Sequence, residues 1–185
     1  MEKIYDLINK GAFAYGNLLT KSYNWTFGGT KLDLANELLT IAPILETIGF
    51  MNAGPIYGAL FTPLYLLISH TNQINNKNRY EREIKALEKN SLDLNAERIK
   101  RLDLPMALMW GSVSLLNVIP THQKGYFTDD RDQTNLIKAT GHFLRGSSFL
   151  VMLADNLPPR KNCVSRGIEK LAEFTNSYTP KTQIA

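Results

Sequence analysis

Apolar and polar positions are sorted into blocks along this chain, and most blocks carry helical periodicity. Residues 3–20 place Ile4, Leu7, Ile8, Ala12, Tyr15, Leu18 and Leu19 at three- and four-residue spacing, which predicts an amphipathic helix of about five turns. Tyr23, Trp25 and Phe27 then cluster before Gly28 and Gly29, in a stretch expected to be a loop. Thr30 stands three residues before Asp33, a capping-box spacing that announces a helix start. From Leu34 to Met51 the chain is mostly apolar, interrupted by Pro43 and Glu46. Asn52, Ala53, Gly54 and Pro55 supply turn chemistry, and a second apolar run, 56–69 with Pro63 inside it, follows at once. The two runs, about 27 and 21 Å long as helices, read as a helical hairpin over 34–71 with an uncharged tip.

The character changes abruptly at residue 72. Between 72 and 102 lie eight Lys/Arg against five carboxylates, with sparse apolar positions such as Ile84, Leu87, Ile99 and Leu102. Two short solvated helices, about 77–89 and 94–102, are expected in this basic polar connector, with pairs such as Glu81–Lys85 along them. Asp103 followed by Pro105 is a second helix-start signal. The run 104–119 contains no charged residue and stops at Pro120. A polar loop over 121–134 leads to a fourth apolar segment, 136–154, broken in character only by Lys138, His142, Arg145 and a few small polar residues; together they make a second hairpin over 103–155. Residues 156–185 hold an amphipathic helix at about 159–174, with Val164, Ile168, Leu171 and Phe174 on one side, and a tail expected to be disordered.

This layout predicts an all-α fold: a four-span helical membrane bundle made of two hairpins, with the basic connector between them and amphipathic helices at both ends. The bulk composition alone argues the other way, since 44% apolar residues, 21% charged residues and a mean hydropathy of -0.20 are ordinary for a soluble domain. The averages hide segregation: between Leu34 and Thr71 only Glu37 and Glu46 are formally charged. Loop charge supplies an independent criterion, because cytoplasmic loops carry the Lys/Arg excess. With both termini inside, the inner segments 1–33, 72–102 and 156–185 carry four, eight and five Lys/Arg, against none and two in 52–55 and 121–134. An integral membrane protein with cytoplasmic termini is therefore expected. A single cysteine, Cys163, excludes an internal disulfide, and residues 1–10, with Glu2 and Asp6 and without a basic stretch before an apolar core, lead to the expectation of no cleaved secretory signal. The formal charge of +4 is too small and scattered to suggest nucleic acid.

Candidate chemistry is sparse. Glu46 lies past the middle of the first arm, where a carboxylate needs a partner, and His142 and Arg145, one turn apart in the fourth segment, are the natural candidates. Such a cluster would serve as a structural clamp or as a proton or ion relay, the clamp being the plainer reading. His70, His122 and His142 lack ligand spacing, so no metal is expected; Asp129, Asp130 and Asp132 lack the glycine and distal glutamate of a calcium loop. Gly141, Gly146, Ser147 and Ser148, with Gly111, Ser112 and Ser114, suggest close packing of the third and fourth segments. No phosphate loop, HExxH, GxSxG or CxxC occurs, so neither a cofactor nor catalysis is expected. Arg98, Lys100 and Arg101, with Arg160, Lys161 and Arg166, form the expected surface for protein partners or anionic lipid. The function that follows is a non-catalytic accessory, assembly or scaffold subunit bound to membrane lipids and other membrane subunits. The alternatives are a small transporter or channel component using the Glu/His/Arg cluster, and a soluble helical interaction domain.

Overall fold

Both predicted start signals begin helices in the computed structural model, which describes residues 2–88, 103–123 and 130–178. Six helices are described: α1 (Glu2–Phe27), α2 (Lys31–Ala53), α3 (Pro55–Glu88), α4 (Asp103–Gln123), α5 (Asp130–Leu153) and α6 (Cys163–Tyr178). Among the described residues there is no strand. The capping box is formed as the spacing implied: the Asp33 amide donates to Thr30 Oγ1 at 3.3 Å, and the Thr30 amide donates to Asp33 Oδ2 at 2.7 Å.

Helix boundaries depart from the expected ones where composition changes without a backbone breaker. The aromatic stretch is not a loop but the last turns of α1, where Tyr23 and Phe27, four residues apart, bring their rings within 5.2 Å. The helix ends at Gly28, whose φ of 81° lies in the left-handed region that closes a helix without strain only for glycine. The border at 71/72 is likewise no break. α3 continues through it as one helix to Glu88, because the polar residues there include no backbone breaker and leave its dihedrals unchanged. α4 carries through Pro120 to Gln123, and α6 extends to Tyr178, so the tail expected to be disordered is helical through that residue. The expected helix at 94–102, and Arg98, Lys100 and Arg101 with it, lie outside the described residues.

Helices α2 to α5 run up, down, up and down. Gly58 sits against Met51, Gln73 Nε2 donates to Thr40 Oγ1, and Lys31 meets Glu83, so α3 returns along α2. Ser114 Oγ donates to the Ala139 carbonyl, and Gly146 faces Ala107, so α5 returns along α4. The two hairpins join mainly through α2 and α5. The buried stripe of α2 is Ala35, Leu39, Ala42, Glu46 and Gly49, alternating steps of four and three that keep one face on its neighbour. Gly141 of α5 lies so near Ala42 and Glu46 that a Cβ would stand 2.9 Å from the Ala42 carbonyl oxygen. The small residues of α5 thus serve the α2 contact as well as the expected α4 contact, and Gly111 on α4 faces open space. The apolar core is thin. One cluster gathers Ala35, Val151 and Met152, and another Ala107, Trp110 and Phe149.

Among the described helices, α2 alone is long and apolar enough to cross a bilayer, a property shared by core helices of soluble proteins; Asp103–Ile119 is a shorter apolar stretch. α3 joins an apolar half to a charged half, and α5 carries Lys138, His142 and Arg145. The all-α expectation is therefore met, while length and composition identify one span where four were expected.

Candidate functional site: a charged interior

Glu46, Arg145 and His142 are brought together, and all are buried; Arg145 and Glu46 expose nothing. Arg145 sits side-on to the carboxylate: Nε donates to Glu46 Oε1 at 3.0 Å and Nη2 donates to Oε2. This two-point geometry is the strongest that a guanidinium and a carboxylate can form. Nη1 donates to Ser69 Oγ at 2.8 Å, tying in α3. His142 Nδ1 lies 2.9 Å from Glu46 Oε1, which already accepts from Arg145, so the histidine is the donor. Two rings complete the enclosure, Tyr65 of α3 and Trp110 of α4, with centroids 5.3 and 5.0 Å from the guanidinium carbon. The His142 ring stacks on Trp110 at 5.5 Å. One site thus touches all four helices of the bundle: the carboxylate from α2, the guanidinium and imidazole from α5, and hydroxyl and ring partners from α3 and α4.

Two further buried pairs were not foreseen. Lys31 Nζ donates to Glu83 Oε2 at 2.7 Å and to the Ala154 carbonyl at 2.8 Å, joining the start of α2 to α3 and to the end of α5. Asn156 Nδ2 adds a bond to the same Glu83 oxygen at 3.2 Å. Arg79 of α3 clasps both oxygens of Asp103, which is 1% exposed and fixes the first residue of α4. Asp103 reads in sequence as a helix-start signal and Lys31 carries no local signal of its own, because a partner tens of positions away leaves no mark on neighbouring residues. Glu83 is buried and Arg79 half-buried on a helix whose other charges with described exposure face out, a distinction that spacing along α3 does not reveal.

The remaining expected surface is only partly open. Arg160 is exposed, Lys161 pairs with Glu169, and Arg166 donates to the Trp25 carbonyl while its guanidinium carbon lies 5.5 Å from the centroid of the Trp25 ring. Tyr23 donates to Glu37; burial, followed by that bond and the Glu37 and Asp33 charges, pushes its phenol well above the ordinary range. An open cleft of about 650 Å³ near the Gly54 turn is lined by Asn52, Gln133, Asn135 and Lys138, and no residue of the Glu46 cluster lines it. Among the described residues no group of three His, Cys, Asp or Glu could hold a metal ion. Chemically, the arrangement joins α2, α3 and α5 through one ion pair and its hydroxyl partner, with every Arg145 nitrogen already engaged. The chain matches no known family model, and neither a curated protein nor a solved structure is similar to it.

Proposed function

We propose that this chain is a four-span membrane protein with cytoplasmic termini, acting as a non-catalytic accessory or scaffold subunit. The observation that carries the reading is an inverted distribution of polarity. The largest fully buried side chains include Arg145, Lys31, His142 and Glu46, while Ile41, Ile44, Ile48, Leu60, Leu64, Leu67, Leu108, Leu115 and Leu116 are exposed on α2, α3 and α4. In water each such aliphatic side chain, 43–67% exposed, forgoes roughly half of the about 1.5–3 kcal/mol that full burial gives, and each buried ion loses several kcal/mol of hydration. Both effects change sign when the surrounding solvent is hydrocarbon, because charges then gain by turning inward to one another and apolar groups gain by facing out. Tyr65, Trp110 and His142 close over the Glu46–Arg145 pair, which favours a clamp over a substrate site.

A wash of membranes at alkaline pH tests the reading: the protein stays in the pellet, and release into the supernatant ends it. Co-purification in mild detergent tests the scaffold role. A stoichiometric partner is expected, and charge reversal of Arg98, Lys100 and Arg101 should remove it; a partner indifferent to the reversal counts against that surface.

The transporter reading has one observation in its favour. Side-chain atoms of Asn72, Asn76 and Ser147 are buried without a hydrogen-bond partner, which leaves polar capacity in the interior. Reconstituted protein would then carry a pH-dependent flux that Glu46→Gln abolishes, and no flux, or one untouched by the substitution, removes this reading.

A further inference from the structure

The orientation of α6 on the rest of the protein is the reverse of what an amphipathic helix does in water. Asn162 Oδ1 accepts from the Ser165 amide and caps the helix, and the preceding strap is pinned by Arg160 N–H to the Gly28 carbonyl at 2.9 Å and by Asn24 Nδ2 to the Pro158 carbonyl at 2.9 Å. What α6 offers α1 is Arg166, a polar residue, which engages Trp25. At 3.6 residues per turn, Val164 and Ile168 point roughly 160° away from Arg166, and Leu171 roughly 140°. All three are 63–67% exposed. A helix folded in water would bury that stripe against α1 and leave Arg166 to solvent.

We infer that α6 is an interfacial helix that lays its Val164–Ile168–Leu171 stripe into the acyl boundary of an anionic phospholipid leaflet. The inference rests on the membrane reading and deepens it by naming the ligand of this surface. Three features of the site fit a bilayer. Residues 160–174 hold four cations to two carboxylates, complementing anionic headgroups. Trp25, 59% exposed beside Arg166, is an amphipathic ring of the kind that sits at headgroup level. The strap to α6 also leaves the bundle where Lys31 meets the Ala154 carbonyl, the end at which α2 exposes no large aliphatic side chain before Ile41. Such helices bury their apolar face about 5–10 Å into the boundary region.

The test uses the full chain with Cys163→Ser and one new cysteine at a time, Ile168→Cys, Glu173→Cys or Ile44→Cys, carrying an environment-sensitive fluorophore. Proteins are reconstituted into vesicles of phosphatidylcholine with or without phosphatidylglycerol. At position 168 the expected result is a blue shift, loss of quenching by aqueous iodide, and quenching by lipids brominated on the acyl chain. At 173, on the polar face, iodide quenching persists. The position 168 signal should strengthen with phosphatidylglycerol and weaken in high salt; indifference to both overturns the anionic preference. If 168 is as open to iodide as 173 while 44 is protected and quenched by brominated lipid, the inference fails and the membrane reading stands. If 44 is also open to iodide, the membrane reading itself fails. Protection at 168 without quenching by brominated lipid means that protein covers the stripe, which overturns the lipid assignment.

Discussion

Replacing Glu46 by Gln removes one charge from a site that water does not reach. Arg145, with no exposed surface, keeps the Ser69 hydroxyl as a partner and loses the carboxylate charge it pairs with. At an effective dielectric near 20, two unit charges about 4 Å apart attract by about 4 kcal/mol. Breaking a buried pair from one side costs about 3–5 kcal/mol for this reason, whereas removing both charges together and filling the space is often neutral or stabilising. Glu46→Gln and Arg145→Met should therefore each lower unfolding free energy by about 3–5 kcal/mol, and Glu46→Leu with Arg145→Met should recover most of it. Trp110 is the natural reporter, since its ring faces Arg145 and stacks on His142; Trp25→Phe leaves it as the only tryptophan. The assay is unfolding in mixed micelles of mild and denaturing detergent, followed by Trp110 emission. If each single variant costs under about 1 kcal/mol, or if Glu46→Leu with Arg145→Met is destabilised by the sum of the separate Glu46→Leu and Arg145→Met effects, the clamp argument is refuted.

Lys31→Met takes the Lys31 ammonium from Glu83, 3% exposed, while the Asn156 bond stays, and is expected to destabilise by a similar 3–5 kcal/mol; the same micelle titration checks it, and Glu83→Leu on top should restore stability. Two glycines predict opposite signs. Gly141→Ala drives a Cβ to 2.7 Å from Glu46 Cγ and should cost about 1–3 kcal/mol, while Gly111→Ala meets nothing within 4 Å and should gain about 0.5–1 kcal/mol in midpoint-derived stability. Tyr23 favours its protonated form in the folded chain, so its contribution is complete below its ordinary pKa of 10.0 and is lost as pH rises beyond it. Stability measured between pH 9 and 11 should fall more steeply in the parent than in Tyr23→Phe, and parallel curves would contradict the assignment.

Local order was legible in the residues themselves. Three- and four-residue periodicity gave the helices, Thr30 with Asp33 and Asp103 with Pro105 marked two starts, and the Asn52–Pro55 turn marked a hairpin, because these signals act within one or two turns of backbone. The meeting of Glu46 with His142 and Arg145 was also foreseeable, since ionisable groups stranded in apolar segments have few possible partners. Other features depended on the packing of helices distant in sequence. Whether polar residues after 71 end a helix or only change its solvent, which carboxylate meets Lys31 or Arg79, and which neighbour the glycines of α5 admit are settled by register between segments up to a hundred positions apart. The direction of the α6 stripe is of the same kind: periodicity shows that a helix has an apolar face, but only its contacts with other helices decide where that face points. Side-chain reach and helix crossing determine those contacts, and neither is encoded in the spacing of a single segment.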